Sequence, residues 1–197
     1  MIYEPKYDYL AGRLKSRLSE DELRRTSRAF ELAASAHDGQ MRDEGTPYIV
    51  HPLRVAISLV DELDLYSPPL ICSALLHDVI EDSDTTREDI AAMFGEEIAR
   101  IVWLLTKFED TGLSDYLAAI ESAAETGAPI VKLCDRLDNL RFLTLSPRIE
   151  KKRRYIRATE EHYIPLAART NGYLHEEMLR WLEKAREHVA SELRDRR

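Results

Sequence analysis

Cysteine is scarce: Cys72 and Cys134 sit inside apolar stretches and lack the short spacing of a metal-ligand pair. They read as buried free thiols of a reducing cytosol, not as a disulfide framework. Seven glycines and eight prolines are too few for a collagenous, linker-like or disordered chain. Long apolar runs are also missing. The longest uncharged stretch, Leu65 to Leu76, is too short to span a bilayer. The N-terminal MIYEPKYDYL carries Glu4, Lys6 and Asp8 where a signal peptide needs an apolar run, so secretion is not expected. Basic residues are the minority, 28 against 36 acidic, for a net charge of −8. A chain of that sign repels nucleic acid in general but leaves room for a small anionic substrate held by local basic groups. What is present, 44% hydrophobic and 32% charged residues, suffices for a core and a solvated surface. The expectation is a soluble cytoplasmic chain forming one domain over 1–197, without nucleic-acid or membrane partners.

Almost every segment reads as helix. Ser19 with Glu22 forms a capping-box pattern, after which Leu23, Phe30 and Ala33 or Ala34 recur at helical spacing until Gly39. The loop GQMRDEGTPYIV follows, and Pro52 suits the first helical position of PLRVAISLVDEL. A further helix is predicted from Pro68-Pro69 through LICSALLHDVIED, and Thr85 with Glu88 suggests another capping box before a helix ending near Gly95. With no convincing strand and no internal repeat, the fold class is all-α, about eight to ten helices around one core. The stretch from Leu174 onward, with Leu179, Trp181 and Leu182 among many charges, suits packing on the domain or against another subunit.

The most informative segment is HDVIED. His77 and Glu81 are four apart, as are Asp78 and Asp82, so on a helix one turn offers an imidazole and three carboxylates beside the apolar LICSALL. Such a group is costly to bury unless a positive charge sits among it, and a divalent metal satisfies that requirement. The plain alternative is a solvated acidic helix end. His51 precedes Pro52, which biases it toward extended backbone at a helix mouth, a platform for a ligand or an ordinary structural position. Asp135, in VKLCDRLDNLR, shares a face with Asn139; it would serve as an oxygen ligand or as a salt-bridge partner of Lys132 or Arg136. Two histidines and two aspartates without thiolate suit manganese, iron or magnesium better than structural zinc. Spacing alone does not bring the four together.

Three segments, AHDGQMRDEGTPYIVHPLRVA, ALLHDVIEDSDTT and VKLCDRLDNLR, resemble in order and spacing the motifs of the RelA/SpoT-type hydrolase domain of the HD phosphohydrolase superfamily. LLTKF and EEHYIPLA echo two further stretches, and the resemblance covers about residues 25–168, with a C-terminal helix over about 172–195. It implies an all-α fold and hydrolysis of the alarmones ppGpp and pppGpp to GDP or GTP plus pyrophosphate by a metal-activated water. Because the chain ends at 197, the expected relatives are stand-alone small alarmone hydrolases. The implied metal is one Mn2+ per site, on His51, His77, Asp78 and Asp135. Glu81 and Asp82 match the acidic pair that handles the water and its protons. Arg42, Tyr48 and Asn139 match residues lining the nucleotide pocket, and Lys107 and Tyr163 match positions near phosphates and ribose.

Three departures fall on the substrate side. Asp43 stands where the family usually has a basic residue; it would repel phosphate yet could accept from a base's amino or imino group. Phe142 stands where the family is usually polar, as a base-stacking or, by preference, a core residue. Asp138 replaces a ring-bearing residue just before Asn139. They motivate a second reading, the same chemistry on ppApp, the 2′-phosphate of NADPH or a nucleoside monophosphate. A non-catalytic nucleotide-binding module and a purely structural helical domain rank lower, because the ligand set and acidic pair are intact. His37 reads as an orienting or structural histidine; His162, His175 and His188 receive no role, and dimerisation is left open.

Overall fold

The computed structural model describes residues 5–195, so Glu4 of the N-terminal reading lies outside the described residues. Within them the chain forms twelve α-helices. These are α1 (Tyr7–Leu14), α2 (Glu20–Ala36), α3 (Val50–Asp61), α4 (Pro68–Leu76), α5 (Val79–Asp82), α6 (Arg87–Phe94), α7 (Glu96–Leu105), α8 (Leu113–Ser122), α9 (Ala128–Phe142), α10 (Ile149–Ala158), α11 (Ile164–Thr170) and α12 (Gly172–Asp195). No strand occurs among the described residues, only one isolated bridge between Met41 and Pro47. The all-α expectation therefore holds. The count exceeds eight to ten because two continuous-looking segments are interrupted, one at His77–Asp78 and one by a π-helical turn over Thr159–Tyr163.

The middle of the fold is α3, α4 and α9, the most extensively buried helices. Eleven consecutive residues of α3, from Val50 to Val60, are buried. Leu59, Ile71, Leu75, Leu76 and Leu133 are among the largest fully buried side chains. Burial on every face places α3 inside the molecule, enclosed by α1, α4 and α9, with His51, Arg54 and Ser58 among its buried residues. Gly127, at φ +76, opens α9 against α4: a Cβ there would meet Leu70 Cδ2 at 2.7 Å. The chain after Leu174 packs back on the molecule: α12 lies along α9, α10 and α11 and buries Leu174, Met178, Leu182, Ala185 and Val189.

Several helix boundaries differ from the sequence expectation. The Ser19–Glu22 capping box is present. The second box is Thr86–Asp89, one residue on, because the Thr85 hydroxyl accepts from Ser83 instead. Helix α3 begins at Val50, so His51 is helical in the first turn and not extended. Pro52 is tolerated there because the first four N–H groups of a helix have no intrahelical partner. HDVIED is not one helical turn: α4 ends at Leu76, and Asp78, at φ −100 and ψ −4, starts α5 separately.

Candidate functional site

The break after α4 directs two side chains inward. His77 is buried, and its Nδ1 lies 2.8 Å from the Ala74 carbonyl oxygen, an acceptor only, so Nδ1 carries the proton. Its Nε2 is then turned to the interior, 3.1 Å from Asp78 Oδ2 and 3.8 Å from Asp135 Oδ1. From α3, His51 Nε2 lies 3.1 Å from Asp135 Oδ1 and 3.8 Å from Asp78 Oδ2. Two imidazole nitrogens and two carboxylate oxygens thus meet, from α3, the α4–α5 break and α9.

This cluster fits a divalent cation on three counts. Donors about 2.1 Å from a cation lie about 3.0–3.4 Å apart in octahedral or tetrahedral arrangement, close to the spacings seen. His77 Nε2 is buried without an aligned hydrogen bond, an unusual state for such an atom. Finally, the set demands positive charge: although burial opposes it, the Asp78 and Asp135 carboxylates lift the His77 pKa to about 9. Lys132, half-buried, meets the other oxygen of Asp135 at 2.8 Å. The salt bridge and the ligand arrangement considered for Asp135 therefore coexist, one on each oxygen.

Polar neighbours hold the donors in place. Tyr48 donates its hydroxyl to Asp78 Oδ2 at 2.8 Å. Asn139 donates to Asp135 Oδ1 at 2.6 Å and accepts from Arg42 Nη2 at 2.7 Å. His37 stacks on Tyr48, ring centroids 4.5 Å apart, with Nδ1 3.1 Å from Gln40 Oε1 and 3.8 Å from Asp82 Oδ2. Asp138, treated above only as a departure, lies 2.7 Å from His51 Nδ1 and accepts from Arg54 Nε at 2.8 Å. A detectable signal existed: an acid between Leu137 and Leu140 on a buried helix requires a partner.

The cluster lies at one wall of a cavity of about 420 Å³. Arg42, Tyr48, Asn139, Lys107 and Tyr163 all line it, as does Glu81. Asp82 does not; it faces His37 and Tyr48 behind that wall. Burial, with the Asp78 charge adding, pushes both the Glu81 and the Asp82 carboxyl above the usual range, against opposing contacts that include the Lys107 backbone N–H for Glu81. The π-helical turn brings Tyr163 into the cavity, where Arg136 lies 4.3 Å from its ring centroid and 4.3 Å from that of Tyr155.

The far end of the cavity differs from expectation. Asp43 accepts from Ser146 Oγ at 2.7 Å, Arg148 Nη2 at 2.8 Å and Lys151 Nζ at 2.8 Å. Its acceptor capacity is largely spent on these three donors, so it is not free to read a base. Phe142 is neither a core residue nor exposed for stacking; it carries the Arg54 guanidinium 3.6 Å above its ring. Of the run from Arg148 to Arg157, Arg148, Lys151 and Tyr155 line the cavity, while Lys152 is buried against Glu192 of α12.

Residues 29–126 match the HD domain family model. The chain belongs to the HD domain family. Among similar proteins, a guanosine-3′,5′-bis(diphosphate) 3′-pyrophosphohydrolase of Aquifex aeolicus is 42% identical over 72% of this HD chain and 21% of its own length. A probable enzyme of the same name from Mycoplasma genitalium is 36% identical, over 87% of this chain and 25% of its own. The bifunctional (p)ppGpp synthase/hydrolase SpoT of Escherichia coli is 35% identical, over 83% and 24%. The HD chain thus spans about a quarter of the length of these curated relatives. A solved structure of a metazoan ortholog of SpoT, described as hydrolysing ppGpp, superposes with a TM-score of 0.71 at 25% identity, covering 81% of this chain and 94% of that one. No described helix is long and apolar enough to cross a membrane.

Proposed function

We propose that this HD chain hydrolyses the 3′-pyrophosphate of the guanosine alarmones ppGpp and pppGpp, yielding GDP or GTP and pyrophosphate. The observation that carries the proposal is the meeting of His51, His77, Asp78 and Asp135 at one wall of a cavity lined by basic and aromatic side chains. The names of the relatives support the same reading. The four residues would hold one Mn2+, a choice supported by a donor set without thiolate. When bound, the metal would lower the pKa of a water and offset phosphate charge.

The chain's own groups do the rest. Water oxygen bonds to the phosphorus attached to the ribose 3′ oxygen, the P–O3′ bond breaks, and the 3′ oxygen takes a proton. Glu81, on the cavity wall with its carboxyl pKa raised, is suited to move that proton, and Asp82 would act at one remove, through Tyr48, whose hydroxyl donates to Asp78. Arg42 and Lys107 neutralise phosphate charge, while Tyr48, Asn139 and Tyr163 shape the nucleotide pocket. We treat 1–197 as one HD unit, since a single apolar core runs from Leu10 in α1 to Ala185 in α12. We place it in the cytoplasm, on the support of two unpaired buried cysteines.

The test is product identification from metal-stripped protein given Mn2+ and, separately, ppGpp, ppApp and NADPH, with Asp78→Ala as blank. GDP with pyrophosphate from ppGpp at the highest efficiency, lost in the variant, is expected. Turnover of ppApp or NADPH alone would select a second reading, the same chemistry on another nucleotide, which the occupied carboxylate of Asp43 does not favour. Absence of turnover on all three would overturn the enzyme reading on these substrates.

A further inference from the structure

We infer that Asp138 is the positioning residue of His51, fixing which ring nitrogen faces the cation and thereby setting the affinity of the site. The inference rests on the reading of His51 as a metal ligand. Asp138 is 2% exposed, and its two oxygens are divided between an imidazole and a guanidinium. Oδ2 lies 2.7 Å from His51 Nδ1; Arg54 donates through Nε to Oδ1 at 2.8 Å and through Nη2 to Oδ2 at 3.1 Å. The Arg54 fork reaches both oxygens, so the carboxylate is the ionised partner of a buried guanidinium.

An ionised carboxylate only accepts, so at 2.7 Å it requires a proton on His51 Nδ1. Nε2 is then the ring atom whose lone pair is left for a cation, and it is the atom facing Asp135 and Asp78. A buried negative partner also makes the imidazole a stronger donor. Arg54 is fixed in turn, by Glu44 Oε1 at 2.9 Å and by the Phe142 ring beneath it. The two departures Asp138 and Phe142 thus form one supporting structure: Phe142 seats Arg54, Arg54 seats Asp138, and Asp138 seats His51. His77 needs no such side chain, because the Ala74 carbonyl serves its Nδ1.

The test is titration of the metal-stripped full chain with Mn2+, following free Mn2+ by electron paramagnetic resonance. Asp138→Asn, nearly isosteric but neutral, is expected to raise the Mn2+ Kd about 10–100-fold with stoichiometry unchanged. A purely structural role would lower the number of sites per chain and leave the Kd of the folded fraction alone. Arg54→Lys, which keeps the charge but loses the fork, is expected to weaken binding in the same direction and carries the test should Asp138→Asn not fold. A Kd within twofold of wild type in the folded variant would overturn the inference. Wild-type protein that binds no Mn2+ would instead overturn the metal reading on which it stands.

Discussion

Asp135 answers to two neighbours at once, and its dependence on each can be separated. Lys132 meets its Oδ2, while Oδ1 faces the imidazoles. Burial opposes the ammonium charge, yet the Asp135 carboxylate raises the Lys132 pKa well above its ordinary value. Lys132→Met leaves that carboxylate buried without its partner, a change that costs about 3–5 kcal/mol. Urea unfolding in chelator is expected to show a loss of this size, and a smaller one with Mn2+ present, because a cation on Oδ1 takes over the compensation. Equal losses with and without Mn2+ would count against Asp135 as a ligand. At this scale the motif residues were legible in the sequence, since imidazole and carboxylate in that order restrict the chemistry. Asp138 was not, because its role depends on a histidine and an arginine in another helix. Asp43 was read as a charge that repels phosphate or an acceptor for a base, and sequence does not show that Ser146, Arg148 and Lys151 already occupy it.

Between elements, Glu62 at the end of α3 ties three helices together. It accepts from both Nη atoms of Arg141 in α9 at 2.6 Å, and from Tyr173 of α12 at 2.8 Å. Burial raises its carboxyl pKa, but Arg141, Ser58 and Tyr173 outweigh that and leave it lowered. A carboxyl whose folded pKa lies below its unfolded value of about 4.3 contributes fully above that value and loses the contribution as pH falls through the folded pKa. Glu62→Gln is therefore expected to cost about 1.5–3 kcal/mol at pH 7. The gap to wild type should narrow from about pH 4.3 downward. Denaturant unfolding at several pH values checks this, and a gap that persists at low pH would argue for packing instead of charge. Helix identity was legible through periodicity and caps, as at Ser19 and Glu22. Boundaries were less so: Pro52 fits the first turn at more than one position, and Thr85 and Thr86 compete for the same cap. The break at His77–Asp78 turns both side chains into one cluster, which a continuous-helix pattern does not reveal.

At the scale of the whole molecule, an acidic chain presents a basic cavity. Net charge is −8, yet the cavity is lined by Arg42, Lys107, Lys132, Arg136, Arg148 and Lys151 against Asp43, Asp78, Glu81 and Asp135. A polyanionic nucleotide is repelled by most of the surface and drawn to this opening, which concentrates attraction where it is productive. Salt screens that attraction beyond a Debye length of about 8–10 Å at ordinary ionic strength. For the proposed activity, the KM for ppGpp is accordingly expected to rise with added salt while kcat changes much less, because groups in contact with substrate are screened less than approaching ones. Asp43 moderates the field by neutralising Arg148 and Lys151 at the rim. Asp43→Asn returns one positive charge to the cavity balance and loosens both cations. Its KM at low salt should fall below wild type and climb more steeply as salt is added. Parallel salt profiles for the two proteins would show that Arg148 and Lys151 stay outside the reach of the substrate even when released, and that the clamp shapes the cavity wall without tuning its charge.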